Sequence, residues 1–266
     1  MSTDSADPPT QDEGPSFDHI FSGYSVWLEP QLDDAALFRA ARADLSRKCG
    51  GPSRGCHEFE PHCTLLYNIK TLPRQRRLIF GSNDDKLEEE DEGEAGERLL
   101  RECLREFRRS MADADADGDD NSKRDCPSEV ESTAREPLAQ ILQLKAMSHY
   151  YFPYPIDADE GLGFGCLIPL LLLDKTPGLQ ALHRATAAVF PSDERHGRAG
   201  GTFRPHMALV YAPESERWLE KWTAEAASTA VDGRGLLGGM RAGCLSVWKT
   251  KGTIDEWRQV AKVDLS

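Results

Sequence analysis

Two histidines in matching settings are the residues of this sequence best placed to do chemistry. The stretch Phe59-Glu60-Pro61-His62-Cys63-Thr64-Leu65-Leu66-Tyr67 recurs as Phe203-Arg204-Pro205-His206-Met207-Ala208-Leu209-Val210-Tyr211, with Phe, Pro, His, Leu and Tyr in the same five places. Self-similarity of this kind signals duplicated architecture. Strand side chains alternate between faces, so His62 shares a face with Thr64, and His206 with Ala208. Two such strands side by side across a pseudo-twofold axis set two imidazoles over one cleft. Imidazole titrates near neutral pH, which suits such a pair to general base and general acid roles.

Other residue types are weaker candidates. Cys56-His57 and His62-Cys63 suggest zinc, but neighbours on a strand cannot both hold one ion and four tetrahedral ligands are not in view, so no metal site is expected. Cys63 is expected to pack in the core behind His62. His57, His149, His183 and His196 are singletons and read as structural. Gly161 to Gly165 lacks the helix that a phosphate-binding loop requires. Trp27 shares a strand face with Ser25 and Glu29, and by pattern alone it is equally a cleft wall or a half-buried core residue.

Each motif must be positioned by the elements before it. Gly23 to Pro30 reads as a strand with Tyr24, Val26 and Leu28 on one face. Asp33-Asp34 cap a helix to about Lys48, stopped by Gly50-Gly51-Pro52. In the second half, Phe164 to Leu173 is a strand in which Pro169 implies an edge or a bulge. Thr176-Pro177 opens a helix with Leu179, Leu182 and Ala185 on its apolar stripe. Both halves thus run strand, helix, His strand. Residues 70–81 are a short helix or a strand, and 138–147 a strand. A helix is expected over 97–111 and another over 215–227, with a closing strand pair at 242–250 and 256–265. The fold class predicted is α+β: two pseudo-twofold-related antiparallel-sheet lobes, helices outside, around a central cleft.

The chain of 266 residues carries a net charge of -13, but residues 84–97 and 111–120 hold all of it and the remainder is neutral. Such blocks are usually solvated. We read 84–134 as an acidic, largely disordered insertion into a single bilobal domain over 21–266, behind a disordered acidic tail at 1–20. A neutral remainder offers no basic footprint for long nucleic acid. The seven cysteines are scattered without CxxC spacing, so a reducing compartment is expected. No apolar run reaches membrane-spanning length, and the acidic N-terminus resembles no signal or transit peptide. A cytoplasmic monomer is the expectation.

The motif pair, each on a strand after a β-α unit, resembles the two-histidine (2H) phosphoesterase superfamily, and within it the plant- and yeast-type cyclic phosphodiesterases. The likeness covers roughly 23–80 and 140–265, in order. It is carried by Tyr24-Ser25-Val26-Trp27, Phe59-x-Pro61-His62-x-Thr64, Leu170-Leu171-Leu172 with Thr176-Pro177, Pro205-His206-Met207-x-Leu209-x-Tyr211, and Lys249-Thr250 with Glu256-Trp257. It implies cofactor-free, metal-independent opening of ADP-ribose 1'',2''-cyclic phosphate to the 1''-phosphate and of nucleoside 2',3'-cyclic phosphates to 2'-phosphates. His62 and His206 would be catalytic, with Thr64, Trp27 and Tyr211 contacting the nucleotide. Trp27 is thereby favoured as a cleft wall. Tyr211 lies at an odd offset from His206, so a strand end or bulge is needed to turn it into the cleft. Sequence does not assign which His is the base. One departure stands out: Ala208 occupies the place of the second hydroxyl. Two alternatives remain beside the small-molecule enzyme, namely an RNA 3'-end cyclic phosphodiesterase of the same superfamily and a nucleotide-binding pseudoenzyme.

Overall fold

A computed structural model describes residues 23–49, 59–79, 86–116, 146–154, 166–190, 203–210, 212–213, 230–231, 234–235, 239–252 and 254–265. It is an α+β arrangement with antiparallel sheets. The first repeat unit is β1 (Tyr24–Pro30), α1 (Leu32–Cys49) and β2 (Cys63–Ile69), and the second is β6 (Cys166–Leu173), α3 (Pro177–Val189) and β7 (His206–Ala208). In each, the first strand pairs antiparallel with the His strand. The register repeats too. Trp27 is opposite Thr64 in one unit and Leu170 is opposite Ala208 in the other.

β1 is central in a four-stranded sheet of order β12-β11-β1-β2, where β11 is Ala242–Lys249 and β12 is Arg258–Asp264. Alternation along β1 and its pairings separates two faces. Val26, Leu28, Leu245 and Val247 form the apolar one, all fully buried. Ser25, Trp27, Glu29, Ser246 and Trp248 form the other, which is the face that carries Thr64. β6 runs between β5 (Ala146–Tyr154) and β7, and a further two-residue strand, β8 (Ala212–Pro213), pairs with β6 beyond β7. β6 is therefore not an edge strand, which was one of the two settings Pro169 implied. On its other side β7 pairs with Leu170 to Leu172 and β8 with Cys166 and Leu167, and Pro169, opposite Tyr151 of β5, falls between those two pairings.

The largest revision concerns the stretch expected as an insertion. Residues 86–89 form β4, antiparallel to β3 (Arg76–Ile79), and Glu92–Ala116 form a helix of 25 residues, α2. Asp91 caps α2 by accepting from the Glu94 amide (2.8 Å). Leu99, Leu100, Cys103, Leu104 and Phe107 are buried in the common core, and the helix packs on α3 and β12. Gly96 allows this approach, because a Cβ there would lie 2.7 Å from the Ala261 Cβ. The N-terminal end of α2 is fixed by Glu92, which accepts from Tyr24, Lys249 (3.0 Å) and Arg258. Burial alone would raise the carboxyl pKa, but those three donors outweigh it and hold it at about 2.

α1 begins at Leu32, before the expected caps. Asp34 turns back to accept from the Arg241 amide (2.6 Å) and guanidinium (3.1 Å), tying α1 to β11. α3 begins as expected: Thr176 is its N-cap and accepts from the Leu179 amide (3.1 Å). The expected tail, the helix at 215–227, residues 138–145 and the loop at 161–165 lie outside the described residues. Among the described residues no helix is long and apolar enough to cross a membrane.

Candidate active site

The Pro-His pairs build the site from the backbone upward. A residue before proline is confined to extended conformations, which orients the carbonyls of Glu60 and Arg204. His62 Nδ1 donates to the Glu60 oxygen (2.7 Å) and His206 Nδ1 donates to the Arg204 oxygen (2.8 Å). A carbonyl only accepts, so Nδ1 carries the proton in both neutral rings and Nε2 holds a lone pair. The two histidines are thus fixed in the same tautomer by the same device.

The motif segments also meet. β2 contacts β7, the Cys63 side chain lies against the His206 backbone, and His206 is near enough for its charge to depress the His62 pKa. Cys63 is fully buried, as expected, and burial pushes its thiol up to about 12. Arg42 of α1 joins the halves by donating from Nε to the Leu209 carbonyl (3.0 Å), and its guanidinium stands 4.7 Å over the Phe59 ring. The equivalent Phe203 is covered by His183 of α3, stacked at 4.0 Å. That packing gives His183 the structural place read for it.

Thr64 stands where the sequence put it. Its hydroxyl is 3.1 Å from His62 Nε2 and donates to that lone pair, which places an O–H donor beside the nitrogen left without a proton. Ala208, its counterpart, is buried and brings no donor. Burial disfavours the charged form of both imidazoles. Burial, then Arg42 and His206, bring the His62 pKa from 6.5 down to about 3, against the opposing bond to Glu60; burial lowers that of His206 as well.

Trp27 borders the groove described below, while most of its surface is packed. It is 2% exposed, with His62 stacked on one face at 3.5 Å and 5°, and Trp248 stacked at 4.5 Å. Both pairings occupy its π surface, so Trp27 supports the His62 imidazole. Tyr211 lies outside the described residues, and Tyr67 is 37% exposed on β2.

Sequence reasoning missed the groove beside this stack, about 380 Å³, bordered by Arg39, Arg42, Phe59, Trp27, Trp248 and Trp257. Its aromatic residues come from three separate stretches, so no local pattern reveals them. Glu29, read from sequence only as sharing a face with Trp27, accepts from the Trp248 indole N–H (3.0 Å) and the Ser246 hydroxyl, holding that indole in plane. Among the described residues no three His, Cys, Asp or Glu side chains are grouped to hold a metal ion. The chain matches no known family, and no curated protein matches it.

Proposed function

We propose that the protein hydrolyses cyclic phosphates of ribonucleotides by two-histidine general acid–base catalysis, on a bilobal 2H-phosphoesterase fold. The observation that carries the reading is the pair of histidines locked by identical Nδ1–H···O=C bonds on two strands that meet. Each leaves Nε2 for proton transfer, and each transfer typically contributes about 10²- to 10⁴-fold in rate.

The deeper burial of His62 favours it as the base. Its lowered pKa leaves it unprotonated at neutral pH, with a lone pair on Nε2 where a proton from water can go. His206, less buried, enters the cycle protonated on both ring nitrogens, and its Nε2 proton passes to the departing ribose oxygen. Water oxygen forms the new bond to phosphorus and one ring P–O bond breaks, leaving a phosphomonoester. Thr64 swings from His62 Nε2 to a non-bridging oxygen as charge grows there.

The test is product analysis in EDTA with 2',3'-cyclic AMP and ADP-ribose 1'',2''-cyclic phosphate. Wild type should give the 2'- and 1''-monophosphates, and His62→Ala and His206→Ala should each abolish them. A second reading, a nucleotide-binding protein without turnover, is favoured by Ala208 alone. Binding of cyclic nucleotide with no product from wild type or from Ala208→Ser would establish that reading.

A further inference from the structure

On the face of the first sheet opposite Trp27 and His62, α2 lies along a sheet edge. β12 ends its sheet and, among the described residues, pairs only with β11. The Leu265 amide donates to the Gly243 carbonyl (2.9 Å), so alternation turns the backbone groups of Leu265 and Val263 towards β11 and those of Asp264 and Lys262 outwards. α2 runs beside this edge in the same direction. Glu92 accepts from Arg258, a Cβ on Gly96 would meet Ala261, and Leu104 shares a groove with Val263 and Asp264. From Glu92 to Leu104 the helix rises about 18 Å, and from Arg258 to Asp264 the strand spans about 20 Å. The groove between them is about 700 Å³, with Arg98, Arg101, Arg105 and Arg108 along its helix side at the spacing of one helix face. Glu94 and Glu97 border its N-terminal end, which leaves the C-terminal half basic. Buried Glu90 holds Arg98 (3.0 Å), and Glu97 pairs with Arg101. Arg105 and Arg108 are exposed and bond to no described carboxylate.

We propose that this edge docks a partner protein through an extended segment with acidic side chains at alternate positions. The segment adds to β12 as a fifth strand and sets its carboxylates beside Arg105 and Arg108. Two features choose this occupant. The outward backbone groups of Lys262 and Asp264 are a template for main-chain hydrogen bonds. A guanidinium fork fits a carboxylate, and side chains on one strand face recur about every 7 Å, close to the rise of about 6 Å from Arg101 to Arg105. Nucleic acid has no amides for the strand edge, and it would meet two unengaged guanidiniums on a chain of net charge -13. The edge lies on the other face of the sheet from His62, so its occupancy is independent of the two-histidine reading.

The probe is a fluorescein-labelled decapeptide alternating Glu with Val, titrated with the full chain and read by anisotropy. A decapeptide alternating Lys with Val, the Glu/Val peptide N-methylated throughout, and an oligouridine of similar length run beside it. The Glu/Val peptide should bind at least roughly tenfold more tightly than the Lys/Val peptide, because the charges that steer the one repel the other. Arg105→Glu combined with Arg108→Glu should weaken the Glu/Val peptide roughly tenfold or more, since each ion pair becomes a like-charge contact. Both positions are exposed, so the thermal melt by circular dichroism should not move. N-methylation removes the ladder donors and should weaken binding to wild type by a similar factor. No binding of the Glu/Val peptide, equal binding of all three peptides, or an affinity untouched by the double variant overturns the proposal. Oligouridine bound as tightly, with the same loss in the variant, makes the row a phosphate surface and overturns it as well. Self-association in sedimentation that the variant abolishes makes a second copy the occupant, and likewise overturns it.

Discussion

Acid should unfold this protein through one residue more than through any other described histidine. The His62 imidazole is 8% exposed, flat against Trp27, with its Nδ1 proton on the Glu60 carbonyl. Its pKa falls from 6.5 to about 3 because burial, chiefly, and the Arg42 charge penalise the imidazolium. Between those two values the unfolded chain takes up a proton that the native site refuses. Stability is therefore complete above pH 6.5 and is lost progressively as pH falls towards 3. One pKa unit is worth about 1.4 kcal/mol, so the whole window represents on the order of 4–5 kcal/mol and the interval from pH 6 to pH 4 about 2–3 kcal/mol. That is a large share of the roughly 5–15 kcal/mol that holds a typical domain together. Urea unfolding at pH 6, 5 and 4 should show wild type losing about 2–3 kcal/mol more than His62→Gln, which has no proton to take up. The ring resonances of His62 should also stay at their neutral positions down to about pH 4. Parallel stability curves for the two proteins, or a His62 midpoint near 6.5, would refute the reasoning.

Four further outcomes are expected. As the acid, His206 must be protonated, and its pKa lies below 6.5; kcat/KM should fall as pH rises past that value, and an optimum above pH 7 would reverse the assignment. Ala208→Ser restores a hydroxyl two residues after His206 and should raise kcat about tenfold, since a hydrogen bond to a charged group is worth roughly 1.5–3 kcal/mol; an unchanged or lower kcat speaks against the transition-state role. Phe107→Ala should cost about 3–5 kcal/mol in chemical denaturation, because the ring is 1% exposed in the core; a loss below about 1 kcal/mol would mean that α2 is peripheral. Burial and the Glu92 carboxylate together raise the Tyr24 phenol to about 12; Glu92→Gln should bring its ultraviolet titration midpoint back towards 10, and no movement would leave burial as the whole cause.

The repeat was legible because its determinants are local. Thr176 caps α3 through an amide three residues away, alternation along β1 separates Val26 from Trp27, and Pro-His orients its own imidazole. α2 was half legible. Its helix was expected over 97–111, but Glu90, Asp91 and Glu92 made the start look like solvated charge. Those carboxylates instead cap the helix, bind Arg98, and anchor Tyr24, Lys249 and Arg258. Each partner of Glu92 is far away in sequence. The role of Trp27 was hidden for a related reason: β-alternation gave its face, while the identity of what covers that face depends on β11 arriving from the opposite end of the chain. Pro169 left an edge or a bulge open, because a proline reports a missing ladder bond without saying on which side of the strand it falls.

The carbonyl anchors on the two imidazoles have a consequence for the timing of the proposed cycle. Ring opening leaves the base with one proton more and the acid with one fewer. With Nδ1 of each ring tied to the backbone, neither imidazole is free to rotate and pass its proton to the other. Both must reset through Nε2, against water or buffer entering the cleft after product leaves. Solvent access then acts as a second reactant, and under fast turnover the protein would run at the pace of its own reprotonation.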